Sequence, residues 1–210
     1  DDPYYRLQGR RPHPDNLKVS YGQVLATKLG WQLHCDAESA GSNDRIIRTT
    51  RQYLAENPAP SAVVIGWATW EREEWLHEGR YWQITAGLAG FDWPKEILDR
   101  HRQWVITTEH NYARTELSQH EKIWQFHQEL GNIPHLFFNT YSYFGHVAQN
   151  NLAKHDWGMC YIDPYNESST FYHWLLAQGL HTVKPESYHF GADAHAKWAE
   201  YLVPYLTRIL

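Results

Sequence analysis

Ser61-Ala62-Val63-Val64-Ile65-Gly66-Trp67 is a continuous β-branched and apolar run. It lacks the polar alternation of a half-solvated strand, so it predicts a strand buried on both faces. The turn signal Asn57-Pro58-Ala59-Pro60 precedes it, and before that Ile46, Ile47, Thr50, Tyr53 and Leu54 recur at helical spacing. Working outward, Trp31 to Ala37 reads as a short strand that the turn Glu38-Ser39-Ala40-Gly41-Ser42-Asn43 joins to that helix. On the other side, Ile133-Pro134-His135-Leu136-Phe137-Phe138-Asn139-Thr140 reads as another buried strand. Strands alternating with helices imply a parallel sheet with right-handed crossovers, so the fold class is α/β.

The remaining elements follow from period and punctuation. Tyr21, Val24, Leu25, Lys28 and Leu29 predict a helix over residues 20–29, with Ser20 as N-cap and Gly30 as stop. Residues 112–130 carry a stripe of Ala113, Leu117, His120, Trp124 and His127 closed by Gly131, and the two histidines read as helix-face packing. Residues 69–83, dense in Trp, Glu and Arg around Glu78-Gly79, read as a hairpin or an irregular excursion. Residues 86–111 read as a long insertion holding one helix near Ile97 to Val105. A short helix is expected near 170–177 and a long one near 192–209, with Trp198, Leu202, Leu206 and Ile209 inward and a kink at Pro204. Residues 1–18 have a loop composition.

The chain of 210 residues suits one domain with its own core. Its formal net charge of −5, with no long basic run, excludes the phosphate-neutralising face that nucleic-acid binding needs. No apolar stretch approaches the roughly 20 residues that cross a bilayer. The chain therefore reads as soluble, and these features leave its location open between cytoplasm and virion. Eleven Trp and 14 Tyr stand beside 14 His, an aromatic load that can line a cleft or an interface, because Tyr and Trp join an apolar body to a polar tip. Cys35 and Cys160 show no metal-type spacing, and no His-x-x-x-His or Cys-x-x-Cys occurs. No cofactor and no metal are expected.

The chemistry-bearing stretch lies near the C-terminus. Pro185-Glu186-Ser187-Tyr188-His189-Phe190-Gly191 places a carboxylate three residues before a histidine on a loop, and His195 follows in an amphipathic helix. A carboxylate that holds one imidazole nitrogen leaves the other free to take a proton from a nucleophile. The pattern Glu186-x-x-His189, then His195, then Ala199-x-x-Leu202, resembles the last block of the SGNH/GDSL hydrolase family, with glutamate where aspartate is usual.

Three further places carry the resemblance. Ala40-Gly41-Ser42-Asn43 opens a helix where the family has a glycine whose N–H binds the oxyanion. Gly66-Trp67-Ala68 stands where Gly-x-Asn is common, without the asparagine. Trp67, Arg72 and Glu74 fit a W-x-x-x-x-R-x-E segment of an SGNH-like branch found in bacteria and marine phages, and the helix over 20–29 is similar to that branch's first helix. The resemblance implies a three-layer flavodoxin-like fold with a parallel central sheet. It also implies an ester hydrolase acting on acyl groups of carbohydrate or lipid, with His189 as base, Glu186 orienting it, Gly41 as oxyanion donor, and Arg72 and Trp67 at the substrate. The family's first strand and its serine would lie upstream of Asp1. The competing expectation is a catalytically inactive member of that fold, for example a phage particle component, whose aromatic surfaces contact glycans or protein subunits.

Overall fold

The computed structural model describes residues 13–85, 93–109, 111–185 and 187–210. In chain order the elements are α1 (Pro14–Lys18), α2 (Tyr21–Leu29), α3 (Asn43–Glu56), β1 (Val63–Trp67), β2 (Arg72–His77), β3 (Arg80–Thr85), α4 (Lys95–Glu109), α5 (Tyr112–Leu130), β4 (His135–Asn139), α6 (Gly145–Gln149), a 3-10 turn (Glu167–Ser169), α7 (Phe171–Ala177) and α8 (Ala192–Ile209). The run quoted first is β1. It pairs in parallel with β4, Ile65 opposite Phe137 and Trp67 opposite Asn139. A parallel bridge between Phe137 and Tyr161 continues the pairing beyond β4. The class is therefore α/β with a small parallel sheet.

The two faces of that sheet are buried by different helices. Ile65, Trp67 and Phe137 pack with Ile47 of α3 and Ile123, Phe126 and Leu130 of α5. Leu136 and Phe138, which alternate with them, pack with Leu25 of α2, Leu175 of α7 and Trp198, Leu202 and Leu206 of α8. Burial on both faces is why the strands read as continuous apolar runs. At Gly66, a Cβ would stand 2.7 Å from the Phe138 ring, so the bare backbone lets that ring cross the sheet.

Local signals account for several helix ends. The Ser20 hydroxyl accepts from the Gln23 N–H, and Gly30 closes α2 in the left-handed region at φ 68°. Ser42 caps α3 and Thr170 caps α7 in the same way. Within residues 69–83, β2 and β3 form an antiparallel hairpin turning at Glu78-Gly79. Trp75 and Ile84 from the hairpin meet Trp93 and Ile97 in a separate apolar cluster.

The strand expected at Trp31 to Ala37 does not form. Strand structure needs a ladder partner, and no described strand pairs with this segment. It is held instead by side chains: the Arg45 guanidinium donates to the Asp36 carbonyl at 2.7 Å, and the His34 and Tyr53 rings meet at 4.4 Å. Residues 13–18, read as loop, contain α1, whose first turn is capped by the His13 imidazole. The final helix runs through Pro204 to Ile209. Among the described residues, no helix is long and apolar enough to cross a membrane.

Candidate functional site

Ligands of parallel α/β sheets bind beyond the carboxyl ends of the strands. Here that end is built from Ala68 to Arg72 after β1, Thr140 to Ser142 after β4, and the loop before α8.

The loop before α8 is clamped at its base. Thr182 bridges Phe190, and the Val183 N–H donates to the His189 carbonyl at 2.9 Å. Phe190 is buried against Phe171 at 5.5 Å. His189 is thereby fixed through its backbone while its ring stays exposed and makes no hydrogen bond among the described residues. Desolvation lowers its pKa, and the Arg72 guanidinium adds to the effect. Neutral imidazole is the form a general base needs. Glu186, the expected orienting carboxylate, lies outside the described residues.

The second histidine has a different role. His195 Nδ1 accepts the Tyr21 N–H at 3.3 Å, and its ring stacks on Tyr21 at 5.9 Å and 16°. It satisfies one of the unpaired N–H groups of the first turn of α2. Burial, with His189 adding, keeps it neutral.

Arg72 opens β2, partly buried and opposite Thr85 in the hairpin register. Burial lowers its pKa, with Glu71 opposing. Among the described residues its guanidinium makes no hydrogen bond and no ion pair. Its neighbour in the same motif behaves oppositely. Glu74 is buried and receives two hydrogen bonds from Arg48, at 2.6 and 2.8 Å, and one from Gln83 at 2.6 Å.

Three sequence expectations meet obstacles in this geometry. The Gly41 N–H is already donated to the Glu38 carbonyl at 3.1 Å, within its own turn, so it is not presented to an oxyanion. The Trp67 side chain is fully buried between Phe126 and Phe137, so its indole is core and not substrate surface. Ala68 offers only a methyl group; its N–H and carbonyl are both held by the Asn43 side chain, at 2.8 and 3.3 Å. Asn43 is thus the buried pin that ties α3 to the end of β1, and it also donates to Gln119 of α5 at 3.1 Å.

Beside His189 lies a feature that sequence spacing did not reveal. Tyr141 makes ring contacts with Tyr172 at 5.2 Å, His173 at 5.3 Å and Tyr188 at 5.1 Å. Tyr188 is 63% exposed and Tyr141 37% exposed, so the cluster offers aromatic faces to solvent. Only the Tyr-rich composition of residues 141–143 and 172 signalled it. Tyr112 adjoins the same region. Burial pushes its hydroxyl up to about 12; Ser142 partly offsets this, and Glu71 and Tyr141 are among the groups that add to it.

A separate cleft of about 600 Å³ lies between α3 and the hairpin, lined by His34, Arg45, Arg48, Glu74, Tyr81 and Trp93 among others. Its two buried charges are already matched, Arg45 with Glu38 and Glu74 with Arg48. Its buried charges are therefore paired within the cleft itself. In comparison with known proteins, the chain matches no protein-family model, no curated protein and no solved structure.

Proposed function

We propose that this chain has the three-layer SGNH-type fold and acts as a serine ester hydrolase on acyl groups of carbohydrate or lipid, at the carboxyl ends of β1 and β4. The observation that carries the reading is the hydrogen bond from Tyr21 to His195. It joins the helix that would follow the nucleophile turn to the histidine block that would serve it. Helices on both faces of the parallel pair, and the Tyr161 bridge beyond β4, support the fold.

In this reading His189 takes the proton from the serine hydroxyl as the acyl carbon is attacked and returns it to the leaving alcohol. Glu186 orients the imidazole. Arg72, desolvated and without an ion pair among the described residues, supplies the positive charge for the oxyanion. The nucleophile in this reading is a serine, which the resemblance alone implies. Labelling of the natural full-length protein with a fluorophosphonate tests this. One adduct, lost or slowed at least about a hundredfold in a folded His189→Ala variant, is the expected result, in line with the size of general-base effects. No adduct on the folded protein would overturn it.

A second reading is favoured by the Tyr141, Tyr172 and Tyr188 cluster together with the spent Gly41 N–H: a non-catalytic module that binds a glycan, or a protein subunit, on its aromatic face. Glycan binding that persists in His189→Ala and is lost in Tyr188→Ala, with no probe adduct, would establish it.

A further inference from the structure

Three potential metal ligands from distant parts of the chain converge on the side of the sheet covered by α5. His127 lies on α5, His135 opens β4, and Cys160 sits in the segment that pairs with β4 through the Phe137 N–H and the Cys160 carbonyl, 2.7 Å apart. The His127, His135 and Cys160 ligand atoms all lie within 4.8 Å of one another.

The hydrogen bonding already orders this group. His135 Nδ1 is 2.6 Å from the Ile133 carbonyl, which has no proton to give, so Nδ1 carries the proton and Nε2 keeps its lone pair. That lone pair faces His127 Nδ1 at 2.7 Å. A metal-binding histidine characteristically donates its other N–H to a carbonyl or carboxylate, which fixes the tautomer and the ring. His135 has that support before any ion arrives. Ligation uses both imidazoles in the neutral form.

We infer that His127 Nδ1, His135 Nε2 and Cys160 Sγ form a binding site for a borderline-soft divalent transition ion, in first place Zn²⁺, with the fourth position open. Two imidazoles and a thiolate make a zinc donor set. Zn–N bonds of about 2.0–2.1 Å place tetrahedral ligands about 3.3 Å apart, so the His127 and His135 nitrogens need to separate by roughly half an ångström. His127 is only partly buried and can swing. On binding, His127 moves its proton to Nε2, and the Cys160 thiol, whose pKa burial raises, releases its proton to solvent. The balance is one proton released per ion. The neighbouring group of His120, Glu121 and His155 is a poorer candidate. Its imidazoles stack at 4.5 Å and 17°, which directs their lone pairs alongside each other, and His155 Nε2 is already engaged by Glu121 at 2.8 Å.

The test is titration of chelator-treated, reduced protein with Co²⁺, followed by displacement with Zn²⁺. The expected result is one equivalent of cobalt with a thiolate-to-metal charge-transfer band, one proton released per ion, and loss of the band on adding zinc. Loss of a supporting group around a metal costs about 10–100-fold, so Cys160→Ser or His127→Ala should weaken binding at least about 100-fold, whereas Glu121→Gln should leave it unchanged. No stoichiometric uptake by the wild-type protein, or uptake without the thiolate band, overturns the site. So does abolition of binding by Glu121→Gln, which would place the ion at the other histidine group. The wild-type spectrum decides the matter even where a variant does not fold.

Discussion

The backbone N–H of Tyr21 and the imidazole Nδ1 of His195 meet at 3.3 Å across 174 residues of sequence. The acceptor nitrogen must be unprotonated, so His195 is neutral with its proton on Nε2. The positive end of α2 enforces this, because a helix N-terminus repels an imidazolium. His195 is a positioning residue that docks α2 onto α8. His195→Ala should cost about 0.5–2 kcal/mol, the usual range for a lost helix cap. His195→Asn, whose side-chain oxygen can accept the same N–H, should recover much of it. Urea denaturation of the two variants checks this; equal stability of His195→Ala and wild type would show the bond to be idle.

Acid should destabilise the protein well before its carboxylates titrate. The pKa values of His120, His127, His135, His189 and His195 are all lowered, chiefly by burial, and that of His120 to about 4. A lowered histidine pKa means that the unfolded chain binds protons which the folded chain refuses. The stability these groups contribute is complete above about pH 6.5 and drains away as pH falls toward their folded values. For His120, 1% exposed, the loss by about pH 4 is on the order of 3 kcal/mol. Unfolding midpoints should therefore be flat above pH 7 and fall steadily below 6.5, with a shallower fall in His120→Gln. A midpoint unchanged between pH 7 and 5 would contradict the assignment.

Gly66 tests the packing of the sheet independently of any chemistry. An added Cβ would lie 2.7 Å from two Phe138 ring atoms and 3.0 Å from the Thr140 methyl. Overpacking of a tight core costs about 1–3 kcal/mol, so Gly66→Ala should lower stability by that amount. Pairing it with Phe138→Leu should return part of the loss. Additive effects in the double variant would show that the two side chains do not meet.

What the sequence disclosed depended on whether a signal was local. Ser20 and Gly30 mark the ends of α2 because a cap is decided within a few residues. The runs of β1 and β4 were readable because burial on both faces removes polar alternation. Trp31 to Ala37 has strand-like composition, yet a strand exists only if a neighbour supplies a ladder, and no property of those seven residues reports one. The same limit hid His127, His135 and Cys160. Their ligand atoms converge through the packing of α5 on β4 and the Phe137 bridge, at spacings that match no metal signature. The Gly41 reading meets its obstacle for a related reason: a turn glycine is visible in sequence, but the partner of its N–H is not.

Arg72 and His189 provide the most direct test of the candidate site, because the guanidinium charge acts on the imidazole. Burial is the larger cause of the lowered His189 pKa, and the Arg72 guanidinium contributes. Arg72→Met keeps the bulk and removes the charge. The His189 pKa should then rise, while remaining below its ordinary value of about 6.5 because the partial desolvation persists. A ring-resolved NMR titration reads this directly. By linkage, an anion such as inorganic sulfate bound at Arg72 should also raise the wild-type His189 pKa and should do nothing in Arg72→Met. If hydrolysis depends on neutral His189, the acid limb of its pH–rate profile must shift upward with the same substitution, since more of the imidazole is protonated at any given pH. A His189 pKa that does not respond to Arg72→Met would separate the two residues, and with them the proposed pairing of base and oxyanion charge.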